Sequence, residues 1–155
     1  MSTLASPDYL PADRSEVTDA WVMNLLAAHP TFRSDTITAV RLEHFGDGID
    51  QLSTLVRADL TCASGADHQL VIKLHTNVPG MHEIGLRYGH YESEINFYRH
   101  LADKVPVRTP ELYAVEMDRD AERVLIVMES FTDWHSPDQL AGASLEEVTI
   151  ATDAL

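Results

Sequence analysis

The sequence predicts an α+β fold: a five-stranded antiparallel sheet with a helix packed on one face, an N-terminal helix before it and the start of another helix after it. Three observations carry this. Two blocks of sequence read as strands, either alternating apolar and polar residues or running continuously apolar between turn signals, three in the first block and two in the second. The links inside each block are short, which favours antiparallel neighbours. Between the blocks lies a stretch whose apolar residues recur with the 3.6 period of a helix.

Residues 1–14 are polar, carry Pro7 and Pro11, and read as an extended lead-in. A helix is expected from about Ser15 to Ala28, with Val17, Trp21, Leu25 and Ala28 as its apolar stripe and Ser15 as its cap; Pro30 follows its end. The first strand runs from Ile37 to Phe45, with Val40 and Leu42 facing one way and Arg41 and Glu43 the other. Gly46-Asp47-Gly48-Ile49-Asp50 is a turn signal. A second strand is expected from about Leu52 to Cys62, with Val56, Ala58 and Leu60 on one face and Leu55, Arg57 and Asp59 on the other. A second turn, Ala63 to Asp67, leads into the third strand, Gln69 to Leu74.

That third strand organises the rest. Side chains alternate along a strand, so Leu70, Ile72 and Leu74 share one face and Val71 and Lys73 the other. An ammonium in a strand that otherwise belongs inside needs a partner, or it loses its proton. The next segment offers one. A helix is expected from about Met81 or later to Asp103, with Tyr91, Ile95, Tyr98, Leu101 and Ala102 on one stripe; Glu94 projects from that stripe. Val105-Pro106-Val107-Arg108-Thr109-Pro110 is extended, because proline disfavours helix in the residue before it. Strands from Glu111 to Met117 and from Val124 to Glu129, joined by a polar turn at Asp118 to Glu122, make a hairpin. Phe131 to Pro137 reads as a loop. A last helix begins near Ser144, where Ser144-Leu145-Glu146-Glu147 has the capping-box pattern.

The 155 residues suffice for one domain with a real core, and 45% hydrophobic with 23% charged residues is ordinary globular composition. A net charge of -14 argues against nucleic-acid and anionic-membrane partners, which need basic patches. The single cysteine, Cys62, allows no intrachain disulfide and fits a cytoplasmic setting. The N-terminus lacks the basic-then-apolar pattern of a signal peptide, and no stretch has the length of a membrane span.

Three constellations could carry chemistry. Lys73 with Glu94 is either a structural ion pair or a binding pair; the two residues alone leave both open. Gly46-Asp47-Gly48 lets backbone N–H groups approach a phosphate, yet taken alone it reads rather as a plain hairpin turn, and Asp47 and Asp50 have the wrong charge beside a phosphate. His90 and Glu94 have i, i+4 spacing, but a zinc site needs three or four converging ligands, and no metal-binding residue is assigned. There is no Gly-x-x-x-x-Gly-Lys phosphate loop and no nucleophile elbow.

Taken together, the parts resemble the small lobe of the protein-kinase-like fold, and within it the aminoglycoside phosphotransferase and ecdysteroid-kinase-like group of small-molecule kinases. The residues that carry the resemblance are Val71-Ile72-Lys73, Tyr91 to Tyr98, Val107-Arg108-Thr109-Pro110 and Ile126-Val127-Met128-Glu129, over roughly residues 15 to 150. The Gly loop is the weakest match, since Gln51 stands where a protein kinase has its third glycine. The resemblance implies an ATP site. Lys73 would neutralise the α- and β-phosphates and Glu94 would hold it. Gly46, Gly48 and Ser53 belong to the segment that would cover the phosphates. Met128 would line the back of the adenine pocket, and Glu129, Ser130 and Phe131 would be the hinge that reads the adenine edge. Trp21 and the first helix would pack on the sheet.

One departure stands beside these matches. The group's catalytic His-x-Asp loop and its metal-binding Asp lie in a second, helical lobe, and nothing here matches them; His135-Ser136-Pro137-Asp138 has the wrong spacing. The expected organisation is therefore a lead-in (1–14), an ATP-binding lobe (15–131), and a linker with the first helix of a second lobe (132–155), the chain being cut off inside that helix. The expected function is the ATP-binding lobe of a phosphotransferase that moves a γ-phosphoryl group to a small-molecule alcohol. ATP would be the cofactor, Mg²⁺ would be held by the other lobe, and the chain alone would be inactive and prone to self-association. The alternative is a non-enzymatic ligand-binding or regulatory module in which Lys73 and Glu94 are only structural.

Overall fold

A computed structural model describes residues 4–45, 52–131 and 142–153. The turn expected at residues 46–50, Gln51 and most of the expected linker lie outside them, including Trp134 and residues 135–138. The fold is α+β. Five strands, β1 (Ile37–Phe45), β2 (Ser53–Cys62), β3 (Asp67–His75), β4 (Leu112–Asp118) and β5 (Arg123–Glu129), form one antiparallel sheet in the order β1-β2-β3-β5-β4. The described helices are α1 (Asp19–Leu26), α2 (Pro30–Ser34), α3 (Met81–Arg87), α4 (His90–His100) and α5 (Leu145–Asp153), with a short 3₁₀ turn at Arg14–Glu16.

Period-two alternation sorts the sheet into two packed faces. On one, Val56, Ala58, Leu60, Leu70, Ile72, Leu74, Leu125 and Val127 meet Trp21, Val22, Leu25 and Leu26 of α1 and Phe32 of α2. On the other, Val115, Val124 and Ile126 meet Tyr91 and Ile95 of α4. Residues 4–13 of the lead-in have no regular structure but are tied to the sheet: Ala5 and Pro11 are buried, and the Ala5 N–H donates to the Tyr113 carbonyl at 2.8 Å.

Pro30 follows the end of the first helix as expected, and three expectations need correction: that helix's start and cap, the single Glu94 helix, and two members of the apolar stripes. The first helix starts at Asp19, and Thr18, whose hydroxyl accepts the Trp21 N–H, caps it in place of Ser15. Asp13 holds Ser15 in the separate 3₁₀ turn. Pro30 begins α2, where its missing N–H costs nothing at a first helical position. The Glu94 helix is two helices, because Gly89 at φ 66° turns the chain out of α3 before α4 begins at His90. Since α4 ends at His100, Leu101 leaves the stripe and is 51% exposed. Ala28 is also exposed, and Leu26 takes its place in the core.

The other boundaries match closely. Asp118 accepts the Asp120 and Ala121 N–H groups in the β4–β5 turn. Ser144 and Glu147 cap α5 reciprocally: the Glu147 N–H donates to Ser144 Oγ at 3.2 Å and the Ser144 N–H to Glu147 Oε2 at 2.7 Å. Leu145, Val148 and Ile150 of α5 are exposed.

Candidate functional site

Lys73 sits in the middle of the sheet, between Leu55 of β2 and Ile126 of β5. Alternation turns it to the α4 face. Tyr91 and Ile95 anchor α4 on that face, and Glu94, three residues after Tyr91 and on the Tyr98 side of the stripe, also points inward. The two charges meet: Lys73 Nζ lies 3.0 Å from Glu94 Oε2 and donates to Oε1 at 3.1 Å. Their side chains keep 18% and 29% of their surface in solvent, so the pair is half-buried and open on one side.

Beside the pair the sheet presents Leu55, Val71 and Met128, all half-buried; Val71 stands opposite Met128 and Leu55 opposite Lys73. The Tyr98 hydroxyl reaches Met128 Sδ at 3.6 Å. Burial pushes the Tyr98 phenol above its ordinary pKa; Glu94 adds to this and Lys73 opposes it. Ser53, at the start of β2, is buried opposite His75 and shares the Lys73 face.

The residues singled out from the sequence therefore divide. Lys73, Glu94, Met128 and Ser53 come to one face. Glu129 stands opposite Leu70, so its carboxylate leaves on the other face, where it pairs with Arg108 and accepts the Glu111 N–H at 3.2 Å. The backbone N–H groups of Glu129 and Ser130 are committed within the sheet, to the Glu111 and Gln69 carbonyls at 2.8 and 2.9 Å. Gly46 and Gly48 lie outside the described residues.

Two side chains have roles that the sequence reading did not give them. Arg108, quoted within an extended segment and the family resemblance but given no role, lies 4.8 Å over the Phe131 ring while it holds Glu129, and so braces the end of β5. Tyr91, read as one apolar member of a stripe, donates its hydroxyl to the Leu52 carbonyl at 2.8 Å. A buried tyrosine needs a partner for its hydroxyl, and that need was the available signal.

A groove of about 820 Å³ opens beside Gln69, Tyr113, Glu129 and Ser130; neither Lys73 nor Glu94 lines it. Among the described residues no helix is long and apolar enough to cross a membrane. Comparison of the chain with protein-family models, curated proteins and solved structures finds no match.

Proposed function

We propose that this chain is the ATP-binding lobe of an ATP-dependent small-molecule phosphotransferase. The carrying observation is the 3.0 Å Lys73–Glu94 contact, a strand lysine held by a helix glutamate on one face of an antiparallel sheet. An ammonium fixed in place by a carboxylate is a pre-positioned cation for phosphate oxygens, and positioning with charge neutralisation is most of what phosphoryl transfer asks of a protein. The fit to ATP rests on what surrounds the pair. Leu55, Val71 and Met128 offer a half-buried apolar platform on the same face, where a planar base can lie while its phosphates reach Lys73. With the Glu129 and Ser130 N–H groups committed inside the sheet, any reading of the base edge falls to other groups of the hinge.

Magnesium supplies charge neutralisation across the phosphates when bound. Its ligands, and the aspartate that orients the acceptor hydroxyl, are expected outside this chain, and the acceptor is an alcohol on a small molecule. By this reading the chain alone binds nucleotide without transferring phosphate.

Titration of the full chain with ATP, beside urea melts, tests the proposal. Lys73→Met is expected to weaken ATP binding by about tenfold or more, the effect of losing roughly 1.4 kcal/mol of charge contact, while the fold survives. A Lys73→Met chain that is less stable yet binds ATP as tightly as the parent would make the pair structural and remove the proposal's main support. ATP-dependent phosphorylation of any alcohol by the pure chain would show that the catalytic groups are misassigned.

A further inference from the structure

The Lys73–Glu94 contact requires α4 to sit at one height and one rotation on the sheet. Its apolar contacts, Tyr91 and Ile95 against Val115, Val124 and Ile126, do not fix that setting sharply, because dispersion contacts are individually weak and undirected. Hydrogen bonds do. At its C-terminal end α4 is tied to β4 by Arg99, which donates to the Val115 carbonyl at 2.8 Å. At its N-terminal end the tie is Tyr91, one turn before Glu94.

The Tyr91 hydroxyl lies where three strand and loop ends converge. It donates to the Leu52 carbonyl at 2.8 Å, at the entry to β2. The Thr76 N–H, just past the end of β3, lies 3.5 Å from the same oxygen and also reaches Leu52 O at 3.1 Å. His82 Nδ1 of α3 faces the hydroxyl at 3.4 Å. The ring is 3% exposed and is held down by α3: a Cβ added at Gly85 would stand 2.5 Å from Tyr91 Cε2, 2.6 Å from Cζ and 2.9 Å from the hydroxyl oxygen. One phenol thus joins the helix that carries Glu94 to the strand that carries Lys73 and to the strand beside it.

We infer that Tyr91 is the positioning residue of the Lys73–Glu94 pair, its hydroxyl setting α4 so that Glu94 reaches Lys73. Its consequence for nucleotide binding rests on the phosphotransferase reading; its consequence for the ion pair does not. A phenol that only satisfied itself in the core would change stability alone, so the test must read the pair.

Lys73→Met, Glu94→Gln and the double variant, melted in urea, give the coupling between the two charges. The cycle is run in the full chain with Tyr91 and again with Tyr91→Phe, which keeps the ring and removes the hydroxyl. Coupling that falls to less than half in the Tyr91→Phe background is the expected result. Coupling that is unchanged, or absent from the parent chain, overturns the inference whatever happens with ATP. In parallel, Tyr91→Phe is expected to raise the ATP dissociation constant about fivefold, the factor that one net hydrogen bond is worth, and to add nothing in a Lys73→Met chain. A parent chain that binds no ATP but loses coupling in Tyr91→Phe keeps the positioning role and discards the phosphotransferase reading. Where Tyr91→Phe does not fold, Gly85→Ala, which displaces the ring and keeps the hydroxyl, is expected to lose the coupling too, and unchanged coupling there overturns the inference equally.

Discussion

Lys73 and Glu94, at 18% and 29% side-chain exposure, fall between the two regimes measured for ion pairs. Exposed pairs contribute at most about 1 kcal/mol, and stranding one charge of a fully buried pair costs about 3–5 kcal/mol. Removing either partner is therefore expected to cost about 1–3 kcal/mol in urea melts; a loss well below this range would place the pair with ordinary surface contacts. The inward aim of both residues was legible from two periodicities, the strand's and the helix's. The contacts of the scattered histidines were not, because tertiary folding alone brings His75 and His82 to a ring separation of 4.9 Å. Burial depresses the His75 pKa from its ordinary 6.5, and the nearby His82 and Arg123 act in the same direction. His82 in turn faces Tyr91 of α4 and Glu122 of the β4–β5 turn. The unfolded chain then binds a proton near pH 6.5 that folded His75 refuses, so this stability is complete above that pH and is lost as pH falls below it. Burial depresses His29 too, with Glu111 opposing, and the sign is the same. The urea midpoint is expected to drop between about pH 7 and pH 5, less steeply in His75→Asn. A midpoint that rises on acidification, or a slope that His75→Asn does not change, would refute this.

At the scale of elements, β1 was legible from its first residue to its last, because Val40, Arg41, Leu42 and Glu43 alternate at its centre and a glycine turn signal follows Phe45. The break between α3 and α4 was not, because the amphipathic pattern continues across Gly89 and hides the turn. Gly85 and Gly89, four residues apart, make the distinction testable. An added Cβ at Gly85 would strike the Tyr91 ring at 2.5 Å, whereas at Gly89 it would meet only Glu92 Oε2 at 3.6 Å, with the backbone at φ 66°. Gly85→Ala gains up to about 1 kcal/mol of helix propensity against an overpacking cost of about 1–3 kcal/mol. Gly89→Ala carries only the left-handed backbone penalty of about 1–2 kcal/mol. Both are expected to destabilise, but Asn, which tolerates the left-handed region, should rescue position 89 and not position 85. If Gly89→Asn is no better than Gly89→Ala, backbone conformation is not what that glycine provides. Pro30 teaches a similar lesson: proline after one helix reads as a stop, yet the same fixed φ starts the next.

At the scale of the whole molecule, the five-stranded sheet followed from counting runs and links. The edge to which the hairpin adds did not. Its β5 joins β3 while β4 takes the margin, which centres Lys73 between β2 and β5. The charge of the chain has a consequence of its own. Pairing all 11 basic residues with acids still leaves 25 − 11 = 14 carboxylates unmatched, so long-range repulsion acts on the compact state in any arrangement. Salt weakens this repulsion and the ion pairs together. The pairs at Arg57–Glu43, Arg99–Glu116, Arg108–Glu129 and Arg119–Glu92 each have at least one side chain more than a third exposed, and such contacts contribute little. The repulsion reaches across the whole domain when the Debye length is about 30 Å at 0.01 M, and only between near neighbours when it is about 10 Å at 0.1 M. Screening should therefore remove more repulsion than attraction. The urea midpoint at neutral pH is expected to rise as sodium chloride is raised from about 0.01 M to about 0.1 M, because that step shortens the Debye length most against the size of the domain. A midpoint that falls over this step would mean that the close ion pairs, Lys73–Glu94 first among them, outweigh the field of the fourteen excess carboxylates.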